Sequence, residues 1–253
     1  MHENALIGHT GFVGSTLMAQ ADFPALYRST NIDEIRGRSF DTVVCAGAPG
    51  VKWKANASPA QDKAAIDSLM RCLDQVACRR LILISTVDVF ADPVGVDETS
   101  PVIDAGLQPY GLHRRQLEQF VAARFHNALT VRLPGLVGAG LRKNVIFDLK
   151  HGNNLAQIDP RGVFQFYPMM NLWKDIAIAS DAGLRLVHLT AEPISVEEIA
   201  LEGFGVRLPS KTEGEAARYD FRTRHAALFG TSGAYQYDKA ATLAAVRDYA
   251  RGA

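Results

Sequence analysis

Four stretches of this chain are apolar with little or no alternation: "NALI" (4–7), "DTVVCAGA" (41–48), "RLILIST" (80–86) and "ALTVRL" (128–133). A strand with one wet face alternates apolar and polar residues. A run without that alternation has to be covered on both sides, as strands of a parallel sheet are when helices lie above and below them. Helical patterns fill the gaps. Ser58, Pro59 and Gln61 supply a cap residue, a proline at the first helical position and a reciprocal glutamine, and Ala65, Ile66, Leu69, Met70, Leu73, Val76 and Ala77 then share one stripe. Residues 109–126 repeat the stripe through Leu117, Phe120, Val121 and Phe125. Strands and helices in alternation predict an α/β domain with a parallel sheet and right-handed crossovers over residues 1–133.

After residue 133 the pattern changes. A glycine-rich loop "PGLVGAGLRKN" (134–144) leads to aromatic "FQFYPMMNLW" (164–173), a strand-like "LRLVHL" (184–189), a helix opening at "SVEEIA" (195–200) and a polar loop to about residue 232. An amphipathic helix from Asp238 through Leu243, Val246 and Tyr249 closes the chain. No low-complexity linker separates the halves, so 134–253 reads as a smaller C-terminal lobe continuous with the first domain.

Lysine plus arginine and aspartate plus glutamate both number 27. No net field therefore favours nucleic acid or an anionic membrane, and a small-molecule partner is expected. The N-terminus lacks a basic region followed by an apolar stretch, and no apolar run approaches the roughly 18 residues that span a bilayer, which suggests a cytoplasmic protein. Cys45, Cys72 and Cys78 lack metal or redox spacing and read as small buried hydrophobes. The scattered histidines suggest no metal.

"LIGHTGFVGS" places Gly8, Gly11 and Gly14 just after the first strand and into a helix start. One glycine permits a tight turn, one lets backbone approach a pyrophosphate, and one lets helix and strand pack closely. The N–H groups of Thr10, Phe12 and Val13 and of the glycines would face the phosphates. An acid about 20 residues on would grip the ribose of NAD; here Arg28 and Ser29 stand in its place, offering a cation to a 2′-phosphate and favouring NADP(H) over NAD(H).

"GHTGFVGS", "DTVVCAGAP", "LILISTVDVF", "YGLHRRQLE" and "VRLPGLVGAG" together resemble, in order and spacing, the corresponding segments of extended short-chain dehydrogenases/reductases. That group includes nucleotide-sugar epimerases, dehydratases and dTDP-4-dehydrorhamnose reductases. The resemblance implies a Rossmann-like, doubly wound sheet holding NAD(P), a C-terminal lobe holding a sugar-like or other small hydroxy or keto substrate, and hydride transfer. It assigns Thr86 to the substrate oxygen, Tyr110 to proton transfer and Arg114 to the position of the family's lysine. Gly47, Ala48 and Pro134 fall among its cofactor contacts, and Val87, Asp88, Arg142, Lys143 and Asn144 among its substrate positions. Helix pairing between subunits in the family implies a homodimer.

Two positions depart from the pattern: Arg114 replaces lysine, and Asp62 stands where the family tends to have asparagine. Arginine is always charged and cannot lend a proton, though its charge would lower a tyrosine pKa and it could hydrogen-bond the nicotinamide ribose. The site is therefore either modified and working, or part of a sensor or scaffold that binds NAD(P) without turnover. Val87 after Thr86 removes the first acid of the dehydratases' T-D-E, which argues against dehydration.

Overall fold

The computed structural model describes residues 3–211 and 213–252. Six strands form the main sheet: β1 (Ala5–Ile7), β2 (Ala25–Tyr27), β3 (Ser39–Cys45), β4 (Ala77–Thr86), β5 (Ala128–Leu133) and β6 (Leu186–His188). Their spatial order is β6-β5-β4-β3-β1-β2. β1 runs parallel to both neighbours, with Ile7 level with Tyr27 on one side and Cys45 on the other, and β3 runs parallel to β4. Val43 and Val44 point to opposite faces of the sheet, yet both are 0% exposed, so both faces are covered as the unbroken apolar runs require. Burying each such side chain contributes roughly 1.5–3 kcal/mol.

The chain steps outward from β1 to β2, then returns past β1 to build β3, β4, β5 and β6. The carboxyl ends of β1 and β3 therefore send their chains to opposite sides, the point at which doubly wound sheets bind ligands. The return from β2 to β3 uses residues 28–38 and a single 3₁₀ turn, Ile32–Ile35, instead of an α-helix. Ile32 and Ile35 are buried and seal that turn onto the core.

Helices α1 (Phe12–Gln20), α2 (Lys52–Ala57), α3 (Pro59–Leu73) and α4 (Pro109–Arg124) accompany the strands. The S-P-x-Q signal marks the right start for α3, but Ser58 makes no side-chain cap. Its backbone closes α2 instead, donating to the Lys54 carbonyl at 2.9 Å and leaving the residue at φ −135° between two helices. α4 is pinned from below by a buried ion pair. Arg132 on β5 grips Glu118 through Nε at 2.9 Å and Nη2 at 2.7 Å, and the Ser85 hydroxyl on β4 donates to Glu118 Oε1 at 2.6 Å. These bonds fix the helix that carries Tyr110 and Arg114.

The chain divides into two compact units, Met1–Ala91 with Pro101–Arg132 and Ile176–Val187, and Asp92–Ser100 with Leu133–Asp175 and His188–Ala253. The second unit holds α5 (Val145–His151), a short α7 (Val196–Glu198) and α8 (Lys239–Arg251), while α6 (Leu172–Asp181) crosses from the second unit into the first. α7 opens on a capping box between Ser195 and Glu198, and Asp238 caps α8 through the Ala241 N–H. The aromatic stretch is core: Tyr167 is fully buried, donates to Asp175 at 2.6 Å, and meets Tyr237 edge-on. Trp53, on α2, is by contrast 74% exposed. Among the described residues no helix is long and apolar enough to cross a membrane, and no group of three His, Cys, Asp or Glu could hold a metal. Cys45 and Cys72 are buried, and burial pushes the Cys45 thiol up to about 11.

Candidate active site

The glycine turn after β1 separates its three residues by what each has to avoid. Gly8 sits at φ +87°, and a Cβ there would lie 2.3 Å from the Ala46 carbonyl oxygen. A Cβ on Gly14 would lie 2.1 Å from the Gly8 oxygen, so α1 packs against the turn only because that atom is missing. Gly11 is different. Its φ is an ordinary −77°, and the nearest atom to an added Cβ is the Gly8 oxygen at 3.4 Å, a normal contact. Nothing in the protein demands glycine at position 11. It is the cap residue of α1 and has no side chain to offer the first-turn N–H groups, a cradle that fits a pyrophosphate. Thr10 and Gly11 are exposed, and Phe12 and Val13 are half-buried.

Gly47, beyond β3, lets its backbone approach the end of β1; a Cβ there would meet the Ile7 side chain at 2.8 Å. Ala48 follows, half-buried. Arg28 and Ser29 are exposed immediately after β2, where Asn31 Oδ1 accepts from the Arg28 N–H at 2.7 Å and holds the turn.

Tyr110 lies in the first turn of α4, its backbone N–H bonded to Asn56 Oδ1 on α2 at 3.0 Å. The half-buried phenol has its pKa raised. Burial is the largest cause; the Arg114 charge opposes it, Asp88 adds to it, and a hydrogen bond with Thr86 and the Lys52 charge oppose it. Thr86 and Tyr110 thus belong to one electrostatic neighbourhood. Thr86 ends β4, accepts from the Asp88 N–H at 3.2 Å, and its hydroxyl reaches Asp88 Oδ2 at 3.4 Å. Asp88 Oδ1 pairs with Lys52 Nζ at 2.6 Å. Val87 is buried, which removes it from the substrate-facing set.

Arg114 is 2% exposed, so it is neither a solvated arginine nor a group reaching out to a ribose. Its guanidinium lies 3.9 Å over the Tyr110 ring. Nη1 donates to Asp62 Oδ2 and to the Tyr110 carbonyl, and Nη2 to Asp62 Oδ1 at 2.8 Å and to the Pro49 carbonyl. Nε is buried and finds no partner among the described residues. His113 Nδ1 also lies 2.7 Å from Asp62 Oδ2. Burial raises the Asp62 pKa, but the hydrogen bonds from Arg114 and His113 outweigh it and hold the carboxyl below its ordinary value. As expected, the Arg114 charge acts to lower the phenol pKa, but it does not decide the balance, and the expected bond to a ribose meets donors already in use. The Asp62 carboxylate lies against the guanidinium, burial outweighs the cation's pull on the phenol, and the Nη donors are occupied within the protein.

Sequence reasoning missed Lys52, Asn56 and Gly111. A Cβ on Gly111 would lie 1.9 Å from the Asp88 carbonyl oxygen, so this glycine is what lets α4 close on the Asp88 turn. Its place directly after Tyr110 was a usable signal, since glycine in a helix interior is costly unless something must come close. Nothing in the text marks Lys52 or Asn56. In the second unit, Pro134 is buried after β5, and Arg142 and Lys143 are exposed ahead of α5. Asn144 was expected at the substrate; instead its Oδ1 caps α5 through the Ile146 and Phe147 N–H groups, and its Nδ2 donates to Leu136 O at 2.9 Å. That residue is occupied as a helix cap.

No protein-family model and no curated protein matches the sequence. Solved structures do match over nearly the whole chain. MoeE5 in complex with UDP-glucose and NAD is 18% identical at a TM-score of 0.71, with 98% of each chain covered. A UDP-N-acetylglucosamine 4-epimerase from Methanobrevibacter ruminantium M1, in complex with UDP-N-acetylmuramic acid, is 12% identical at 0.75, covering 99% of this chain and 97% of the other. RMD from Pseudomonas aeruginosa, complexed with NADPH, is 17% identical at 0.68, covering 100% and 97%. At these identities the likeness establishes the fold, a Rossmann-like α/β sheet shared with those structures.

Proposed function

We propose that the chain is an extended short-chain dehydrogenase/reductase: an NAD(P)-dependent oxidoreductase or epimerase acting on a sugar-like, nucleotide-linked or other small hydroxy or keto substrate. The observation that carries this reading is Gly11. Its two companion glycines are demanded by the protein's own packing, whereas the smallness of position 11 is left for a ligand at a helix N-terminus. The structural neighbours that hold NAD or NADPH and nucleotide sugars support the same reading.

The bound nicotinamide would supply or accept the hydride. Gly8, Gly11 and Gly14, with the backbone at Thr10, Phe12 and Val13, would hold the pyrophosphate, and Gly47 and Ala48 would line its path across the strand ends. Arg28 and Ser29 stand where a 2′-phosphate would lie, which favours NADP(H). Thr86 would hold the substrate oxygen and Tyr110 would pass it a proton. A phenol with a raised pKa keeps its proton at neutral pH, so Tyr110 suits the donor's role in carbonyl reduction.

Fluorescence titration with NADPH and NADH tests the cofactor: micromolar binding is expected, tighter for NADPH, with Arg28→Ala removing the difference. A panel of UDP- and dTDP-linked keto sugars, followed by nicotinamide absorbance, tests the chemistry. Tyr110→Phe should abolish turnover while leaving cofactor affinity intact; undiminished turnover would remove Tyr110 from the reaction.

One observation favours a second reading, a cofactor-binding sensor without turnover. The cation beside Tyr110 is buried and paired with an acid. Cofactor binding with no turnover by any member of the panel would select it.

A further inference from the structure

We propose that the Arg114 guanidinium, held by Asp62, acts as a positioning clamp on Tyr110: it fixes the plane of the phenol ring and ties the helix turn that carries it to the loop after β3. The proposal rests on the oxidoreductase reading above, and its test separates the two.

Tyr110 is gripped at three points. Its backbone N–H donates to Asn56 Oδ1 on α2 at 3.0 Å, its carbonyl accepts from Arg114 Nη1 at 3.1 Å, and the same guanidinium lies 3.9 Å over its ring. A cation within about 6 Å of an aromatic centroid is drawn to the ring face, more strongly where water is excluded. Arg114 is buried, so that condition is met. The guanidinium itself is not free to slide. Asp62, in the first turn of α3, takes Nη1 on Oδ2 and Nη2 on Oδ1, the second at 2.8 Å. His113 lies 2.7 Å from the same carboxylate and steadies it from α4. Nη2 also donates to the Pro49 carbonyl. Pro49 follows Gly47 and Ala48, the residues that would line the coenzyme's path. One flat group therefore touches both the proton donor's ring and the loop against which the coenzyme would lie.

A planar fork suits these contacts together. Two parallel N–H bonds orient the guanidinium on the carboxylate and leave its face for a ring. An ammonium carries its donors on a single atom at the end of a flexible stem, so it would supply the charge without the plane. Asp62 is the counterpart, since a neutral amide would offer the fork one acceptor instead of two. In reduction the phenol passes its proton to the substrate oxygen while hydride reaches the carbon bearing that oxygen, and both distances have to be right at once. Arg114 and Asp62 set that geometry without touching substrate or coenzyme.

The test compares the full chain with Arg114→Lys, Asp62→Asn, Tyr110→Phe and Tyr110→Leu. The first readout needs no substrate: the Arg114 Nε–H resonance in protein carrying nitrogen-labelled arginine, assigned by its loss in Arg114→Lys. A ring face shields what lies over it, so this resonance should sit upfield, stay there in Tyr110→Phe and return to the ordinary range in Tyr110→Leu. The second readout is steady-state kinetics with NADPH and the UDP- and dTDP-linked keto sugars named above. Arg114→Lys keeps the charge, so the pH profile should hold its place, while kcat should fall about 10²-fold with KM little changed. Asp62→Asn, assayed at a temperature where its melting curve shows it folded, should lose kcat in the same way and move the Arg114 resonance back toward the ordinary range. Full kcat in Arg114→Lys would overturn the clamp, whether NADPH affinity is kept, so that charge alone suffices, or lost, so that Arg114 is a coenzyme ligand. A resonance in the ordinary range that ignores Tyr110→Leu would overturn it as well. If no substrate turns over, the oxidoreductase reading fails, while the resonance still decides whether the ring is clamped.

Discussion

At the scale of single residues, the two departures from the family pattern are one feature. Asp62 and Arg114 are 52 positions apart in the chain, yet they form a buried two-point ion pair with His113 alongside. A neutral partner for a buried guanidinium would leave the charge uncompensated, and a carboxylate without the arginine would fare no better. Asp62→Asn should therefore cost about 3–5 kcal/mol of stability in chemical denaturation. Combined with Arg114→Lys it should cost less than the sum of the single changes, because one pair is being replaced by another. The pair also sets a pH dependence. The Asp62 carboxyl is held below its ordinary value in the folded state, so its contribution is full above the normal carboxylate range and is lost as the pH falls through the lowered value. Denaturation midpoints across that acid range should fall in the wild type and flatten in Asp62→Asn. The sequence named both residues but not their contact, since spacing along the chain carries no information about a pair formed by two different helices.

At the scale of elements, the glycines divide into those the fold needs and one it does not. Gly14→Ala and Gly111→Ala place a Cβ within about 2 Å of a carbonyl oxygen and should lower thermal stability, Gly111→Ala also pulling α4 off the Asp88 turn. Gly11→Ala meets nothing closer than 3.4 Å and should melt close to the wild type while losing dinucleotide affinity in the fluorescence titration. Elements with a long apolar period were legible: β3, β4, β5, α3 and α4 lie close to where the pattern put them, except that α3 stops at Leu73, so Val76 falls in the following turn and Ala77, read as part of the helical stripe, opens β4. α2 left no pattern because it is six residues long and buries only Ala55. α6 was missed because it starts on the last two residues of the aromatic run and is only ten residues long, too short for its period to stand out. Asn144 was misassigned because a polar side chain at a loop end reads alike as a ligand or as a cap.

For the whole molecule, the sheet explains why so remote a sequence shares its fold with nucleotide-sugar enzymes. Buried strands and one glycine turn can be written in many ways, and the 12–18% identity to structures covering nearly all of the chain reflects that freedom. If the carboxyl end of β1 holds a dinucleotide, saturating it should stabilise the fold by mass action. At a hundred times its dissociation constant the gain is about 2.7 kcal/mol, or roughly 5–10 °C in Tm for a chain of this size. NADPH should produce that shift in the wild type and not in Gly11→Ala.

The short link between β2 and β3 bears on residence time. Among the described residues no strand pairs with the outer edge of β2, and a 3₁₀ turn stands where a crossover helix would be usual. The adenosine half of a bound dinucleotide would then rest at a rim with one wall fewer and dissociate readily, so the coenzyme would behave as a second substrate that leaves after each cycle. Protein purified without added nucleotide should accordingly show no nicotinamide absorbance.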